Sequence, residues 1–249
     1  MALRLVSSVV AVGGGQPAKI GLQVRLEPGW KIYWRSPGDA GVPPVFDWSG
    51  SQNLAGADVR WPLPHRFQLF GLETFGYTDE VVLPVRVSPD LAGAPVALRL
   101  HLTYGICKEV CIPYEADLAL DLPRGPATPS IYSDLIRRYD ALVPKRDGSA
   151  GLRVVRAALE TRDGHASLVV LAHSDRAWTS PDLLIEAPPG YAFAHLRRVA
   201  GNNPNEAQFV ADLAGKAPAD RLAGQDVTVT LADKGDAVER TLAVERSAH

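Results

Sequence analysis

Cys107 and Cys111 are the only two cysteines of a 249-residue chain, and three residues separate them. Two thiols at that spacing have three chemistries open to them. They can close a structural disulfide, although a loop so small stabilises weakly, because the entropic gain grows with loop length. They can hold a metal, but zinc takes four ligands, there is no second cysteine pair, and none of the six histidines is adjacent to this one. They can form a redox dithiol, cycled by thiolate attack through a mixed disulfide. Spacing leaves all three readings open. A strand ending at Ile106, a tight turn at Lys108-Glu109 and a strand resuming at Cys111 would bring the sulfurs within bonding reach. Lys108 favours a thiolate and Glu109 opposes it, so the flanking charges predict no strongly depressed thiol pKa. Such a thiol reacts when a partner activates it or docks.

The elements that must position this pair are strands. Apolar residues alternate at Leu22, Val24 and Leu26, through Ala97-Leu98-Arg99-Leu100-His101-Leu102, and at Leu118, Leu120 and Leu122. Period-two runs bounded by Pro and Gly predict half-buried strands of an antiparallel sandwich. The region from Trp30 to Trp61 contains Pro37, Pro43 and Pro44, and is expected to form long loops or edge strands, since Pro cannot donate to a ladder. Loops so rich in Trp pack or bind something.

Composition changes near Arg124. Turn residues at 124–129 read as a linker. A helix is predicted next, with Thr128 at N-cap, Pro129 at N1, apolar Ile131, Leu135, Tyr139 and Leu142 at helical spacing, and Pro144 as the stop. Strand patterning resumes at 152–155, 167–171, 183–186 and 208–210, and ends in a hairpin of 227–231 with 237–244 around Asp233-Lys234-Gly235. The expected organisation is all-β: two immunoglobulin-like sandwiches, residues 1–124 and 147–249, joined by a linker with a short helix at 125–146. No 20–50-residue repeat period is evident.

Composition limits the function classes. Lys plus Arg is 26 and Asp plus Glu is 28, a balance that argues against nucleic-acid binding. No run approaches the roughly 20 apolar residues that cross a bilayer. The apolar stretch from Leu3 to Val12 lacks the order of a signal peptide, so targeting is not readable from it. No G-x-S-x-G elbow anchors a hydrolase triad. Gly13-Gly14-Gly15 lacks the following Lys and Ser/Thr of a phosphate loop. His101 reads as a surface or edge histidine, Arg137-Arg138 as the solvated side of the helix, and His165, His173 and His195 have no ligand spacing for copper.

Several separated motifs carry a resemblance. Gly29-Trp-Lys-Ile-Tyr33-Trp34-Arg35-Ser-Pro-Gly-Asp39-Ala-Gly-Val-Pro-Pro44 is followed by Trp61-Pro62, by Phe70-Gly71 with Gly76-Tyr77, and by Leu83-Pro84-Val85. Tyr104-Gly-Ile-Cys107-Lys-Glu-Val-Cys111-Ile-Pro113 completes the series. In this order they resemble the N-terminal periplasmic domain of the DsbD family of transmembrane thiol-disulfide interchange proteins. The cysteine spacing and the Trp-rich loop are most similar to its suppressor-of-copper-sensitivity branch, ScsB. The resemblance spans residues 18–123, whereas residues 150–249 are similar only in being an extra β-domain.

The resemblance implies a periplasmic thiol-disulfide oxidoreductase domain without cofactor or metal, the soluble piece of an inner-membrane protein. Reducing equivalents would pass from a membrane electron-transfer domain, through the thioredoxin-like domain of the full-length protein, to Cys107 and Cys111. From there they would reach periplasmic thioredoxin-fold partners such as a disulfide isomerase or reductase of the ScsC type. It implies Cys111 as the thiol that bonds to partners and Cys107 as the one that resolves. It implies an aromatic cap over the pair, with Phe70 before Gly71 as first candidate and Phe67 as second. Trp30, Tyr33, Trp34 and Tyr104 would flank the cysteines together with Lys108 and Glu109, and one of the strand aromatics must be core, because strand neighbours point to opposite faces. Two other readings stay open: a two-domain binding module whose disulfide is a staple, and a copper-binding protein of the kind the branch's name suggests.

Overall fold

The computed structural model describes residues 1–13, 18–69, 71–162, 165–200 and 203–246. The chain divides into two compact units, residues 1–143 and 144–249. The first contains β1 (Ala2–Ser7), β2 (Ala18–Arg25), β3 (Lys31–Gly38), β4 (Val45–Asp47) and β5 (Gly56–Val59). It continues with β6 (His65–Leu69), β7 (Leu72–Thr78), β8 (Glu80–Ser88), β9 (Val96–Cys107), β10 (Cys111–Leu122) and helix α1 (Ser133–Asp140). One sheet has the order β1-β2-β8-β5 and the other β10-β9-β3-β7-β6, with β4 also paired to β9. Both are antiparallel throughout, and they form an immunoglobulin-like sandwich.

Alternation explains β9. Leu98, Leu100, Leu102, Tyr104 and Ile106 are each 5% exposed or less, while Arg99 and His101 between them are exposed. The pattern breaks at the end of the strand, where Gly105 and Cys107 are buried as well. Something covers the outer face there, and that cover is the candidate site.

The Pro- and Trp-rich stretch departs from the loops or edge strands expected of it. β3 lies inside its sheet, pairing with β7 and β9, because Pro37 falls after the paired residues Lys31 to Tyr33 and interrupts no ladder bond there. Where β3 leaves β9, β4 takes its place, with Val45, Phe46 and Asp47 opposite Thr103, Leu102 and His101.

The helix starts later than the cap residues suggested. Pro129 forms a bridge with Val9, so Thr128 and Pro129 are extended and Tyr132 occupies the N-cap. Its buried side is centred on Ile136, which packs with Val6 and Val82, while Ile131 is 88% exposed. Gly21 permits this approach: a Cβ there would lie 2.5 Å from Val82 and 3.2 Å from Ile136. The helix therefore covers the β1-β2-β8-β5 sheet as part of the first unit, which runs through Val143.

The second unit contains β11 (Lys145–Arg146), β12 (Leu152–Arg162), β13 (His165–Ser174), β14 (Asp182–Glu186) and β15 (Phe193–Ala200). Then come β16 (Glu206–Leu213), β17 (Asp226–Asp233), β18 (Asp236–Ala243) and β19 (Glu245–Arg246). Its sheets have the orders β11-β18-β17-β14 and β15-β16-β13-β12-β19. They enclose a separate core that includes Leu152, Leu168, Phe209, Val229 and Val238. The hairpin of β17 and β18 turns through Lys234 and Gly235, both at positive φ, as a two-residue turn of this hand requires. β15 escaped the sequence pattern because a register shift between Ala194 and Arg197 breaks its alternation.

Candidate functional site

Cys107 closes β9, Cys111 opens β10, and the two are opposite each other at the last rung of the hairpin. They are joined as a disulfide. Lys108, Glu109 and Val110 form the exposed connection, with the Lys108 N–H donating to the Val110 carbonyl at 3.3 Å. The stem of Lys108 passes over Gly29, where a Cβ would lie 3.2 Å from its Cε. The two residues differ in exposure. Cys107 is 2% exposed and Cys111 is open to solvent.

Cys107 pairs with Lys31 across β9 and β3, so Lys31, Tyr33, Cys107 and Cys111 share the outer face of the sheet. Tyr33 covers the disulfide. Its hydroxyl lies 2.7 Å from Cys107 Sγ and 3.1 Å from Cys111 Sγ. Disulfide sulfur has no proton, so the phenol is the donor. Burial pushes the Tyr33 hydroxyl above the usual tyrosine range and keeps it protonated for that role. Its ring is fixed by small neighbours: a Cβ on Gly41 would lie 2.7 Å from Tyr33 Cε1, and one on Gly105 would lie 3.7 Å from Cδ2.

The other aromatics divide between the faces. Trp34 points into the sandwich, 1% exposed, edge-on to Phe75 at 6.2 Å and stacked under Arg35. It is the core member of the pair. Tyr104 also faces inward, 2% exposed, and stacks on Tyr114 at 6.1 Å. Trp30 is half-buried in the turn before β3, with its backbone N–H donating to the Glu27 carbonyl.

Phe70, first candidate for the cap, lies outside the described residues. Phe67 lies on the same face as the disulfide, opposite Thr74, and its ring is 5.0 Å from the Lys31 ammonium. Gly71 stands at the tip of the β6–β7 hairpin with φ of 77°, a conformation glycine takes without strain.

Thr74 carries no motif signal, and Lys31 lies in the motif of residues 29–44 without being singled out there, yet both belong to this layer. The Lys31 ammonium donates to Thr74 Oγ1 at 3.2 Å, and Lys31 is 8% exposed. Burial holds its pKa below the usual lysine value. Alternation with Tyr33, inside the same motif, was the sequence signal that could have found it.

Elsewhere, His101 is exposed and pairs with Asp117 at 2.8 Å. In the second unit His195 approaches Asp212 at 3.6 Å and His173 approaches Asp175 at 3.3 Å. Among the described residues, no three metal-ligating side chains come together.

Residues 6–123 match the family model of the thiol:disulfide interchange protein DsbD, N-terminal. Residues 142–247 match a domain of unknown function, DUF8393. No curated protein matches the sequence. Among solved structures, the N-terminal periplasmic domain of ScsB from Proteus mirabilis is similar with a TM-score of 0.78 and 25% identity, covering 98% of this chain and 92% of that one.

Proposed function

Since residues 6–123 belong to the family of DsbD N-terminal domains, we propose that this chain passes reducing equivalents to thioredoxin-fold partners in the periplasm through a reversible Cys107–Cys111 dithiol. Membership supports thiol-disulfide interchange in general. The likeness to a domain described as periplasmic supports the compartment, and among the described residues no helix is long and apolar enough to cross a membrane. The direction of flow and the donors and acceptors are our reading. Electrons enter from a membrane electron-transfer domain by way of a thioredoxin-like domain, and leave to a disulfide isomerase or reductase of the ScsC type.

The observation that carries the reading is the unequal exposure of two bonded cysteines. Cys111 is the exposed residue that a partner can reach, while Cys107, buried under Tyr33, is the sulfur that leaves or resolves. Exposure chooses between the thiols where Lys108 and Glu109 do not. β10 is the edge of its sheet, so the surface beside Cys111 is open to a docking partner, while Pro113, two residues further on, lacks the N–H that would let that partner add as a ladder strand. Phe70 remains our first candidate for the cap.

The test is the reduction potential. Equilibration of the pair with glutathione or thioredoxin buffers supports exchange. A potential below about −300 mV marks a structural bond and overturns the reading.

A further inference from the structure

A lysine buried in protein usually faces a carboxylate, because an ion taken out of water is costly unless it is paired. Lys31 does not. Among the described residues its ammonium has Thr74 Oγ1 at 3.2 Å, the Phe67 ring face at 5.0 Å and the Tyr33 ring face at 5.9 Å, and no acidic partner. Lys31 pairs with Cys107 across β9 and β3 on the same face, and its ammonium reaches from there toward Thr74 and Phe67, past the ring of Tyr33.

We propose that Lys31 is the electrostatic partner of the Cys107 thiolate, an anion that exists only while the disulfide is open. The proposal rests on the exchange reading above. In the exchange step, the Cys111 thiolate attacks a partner disulfide, and the partner's displaced sulfur leaves as a thiolate and takes a proton. Cys107 then gives its proton to solvent, and its thiolate attacks Cys111 Sγ. The bond between Cys111 and the partner breaks, the partner's second sulfur leaves with the electron pair and is protonated, and Cys107–Cys111 closes. Two electrons have moved to the partner. By microscopic reversibility the Cys107 thiolate is also the leaving group when the disulfide is reduced.

That anion forms at a site with 2% exposure, where water cannot solvate it. Lys31 compensates it in two ways. Its charge acts through a poorly screened interior, with the Tyr33 side chain between it and the sulfur. It also lies over the ring of Tyr33, whose hydroxyl is bonded to Cys107 Sγ, and a cation there strengthens the phenol as a donor. The lowered affinity of Lys31 for its proton fits a cation without an anion in the oxidised state. The other titratable groups facing the pair are Tyr33 on β3, His65 on β6, Glu115 further along β10, and Lys108 and Glu109 in the turn. Of the cations and His65, Lys31 alone is buried. Lys31 thus serves as a positioning residue: it holds charge and a hydroxyl donor ready for the sulfur.

The experiment compares wild type with Lys31→Met, Lys31→Arg and Thr74→Val in the full chain. Measured above the pH at which Cys107 ionises, Lys31→Met should shift the equilibrium with glutathione about tenfold toward the disulfide, equivalent to about 30 mV for a two-electron couple. In a Cys111→Ala background, the thiolate absorbance of Cys107 should titrate about one unit higher, the same tenfold. Lys31→Arg should restore most of both shifts, and Thr74→Val, which keeps the charge, should leave the equilibrium within about twofold. Lys31→Gln takes the place of the methionine variant if that one fails to fold. An unchanged equilibrium and titration in a folded neutral variant overturns the proposal, as does a Thr74→Val shift equal to that of Lys31→Met. A wild-type pair that exchanges with no buffer overturns the functional reading instead, and the Cys107 titration still tests Lys31.

Discussion

Cys107 and Cys111 are cross-strand partners in one rung of a hairpin, yet one is sealed beneath Tyr33 and the other faces solvent. Cys111 is therefore expected to form the mixed disulfide. Incubated with an oxidised thioredoxin-fold partner, Cys107→Ser should accumulate a stable adduct, because no second thiol remains to release it. Cys111→Ser should accumulate little. The reverse pattern on a non-reducing gel would exchange the roles.

Tyr33→Phe keeps the ring and removes the donor. A hydrogen bond to a charged group is worth about 1.5–3 kcal/mol, so the Cys107 thiol should titrate about one to two units higher in the variant. Above the pH at which Cys107 ionises, the thiolate loses more than the neutral disulfide that Tyr33 also bonds, so the reduced form becomes less favourable and the potential more negative. A pH profile of thiolate formation checks the sign. Gly41→Ala should act in the same direction while retaining the hydroxyl, since the new methyl would displace the Tyr33 ring.

Phe70→Ala should speed alkylation of the reduced protein and leave its melting midpoint nearly unchanged, as expected of a cap. Phe67→Ala is the comparison, because its ring is engaged with the Lys31 ammonium. A midpoint drop corresponding to the 3–5 kcal/mol typical of a core Phe would instead assign Phe70 to the interior.

Residues 1–143 should fold alone and retain exchange, since their core and both cysteines lie on one side of the division. The truncation must keep α1. Within it, Ile136→Ala should cost about 2–5 kcal/mol, because Ile136 is 1% exposed between Val6 and Val82. Denaturant titration of both proteins measures this, and lost exchange in a folded 1–143 chain would give the second unit a part in the chemistry.

Much of the fold was legible because strands state themselves in alternation, as β9 and the hairpin of β17 and β18 do. The helix was misplaced by one turn for a physical reason. Thr128-Pro129 has the chemistry of a helix start, but the bridge from Pro129 to Val9 holds it extended. Period two also showed that Tyr33 and Trp34 must face opposite ways, and tertiary packing alone decided which one met the sulfurs. Lys31 was silent, since a lysine in a strand reads as solvated. Its burial depends on the Phe67 ring, contributed by a strand more than thirty residues away.

The edge formed by β10 has a consequence for self-association. Its exposed residues beyond Cys111 include Pro113, Glu115, Asp117 and Asp121. Two copies brought together along this border would each lose a ladder bond at Pro113. On the exchange reading, this border resists the pairing that would bring Cys111 of one copy against Cys111 of another.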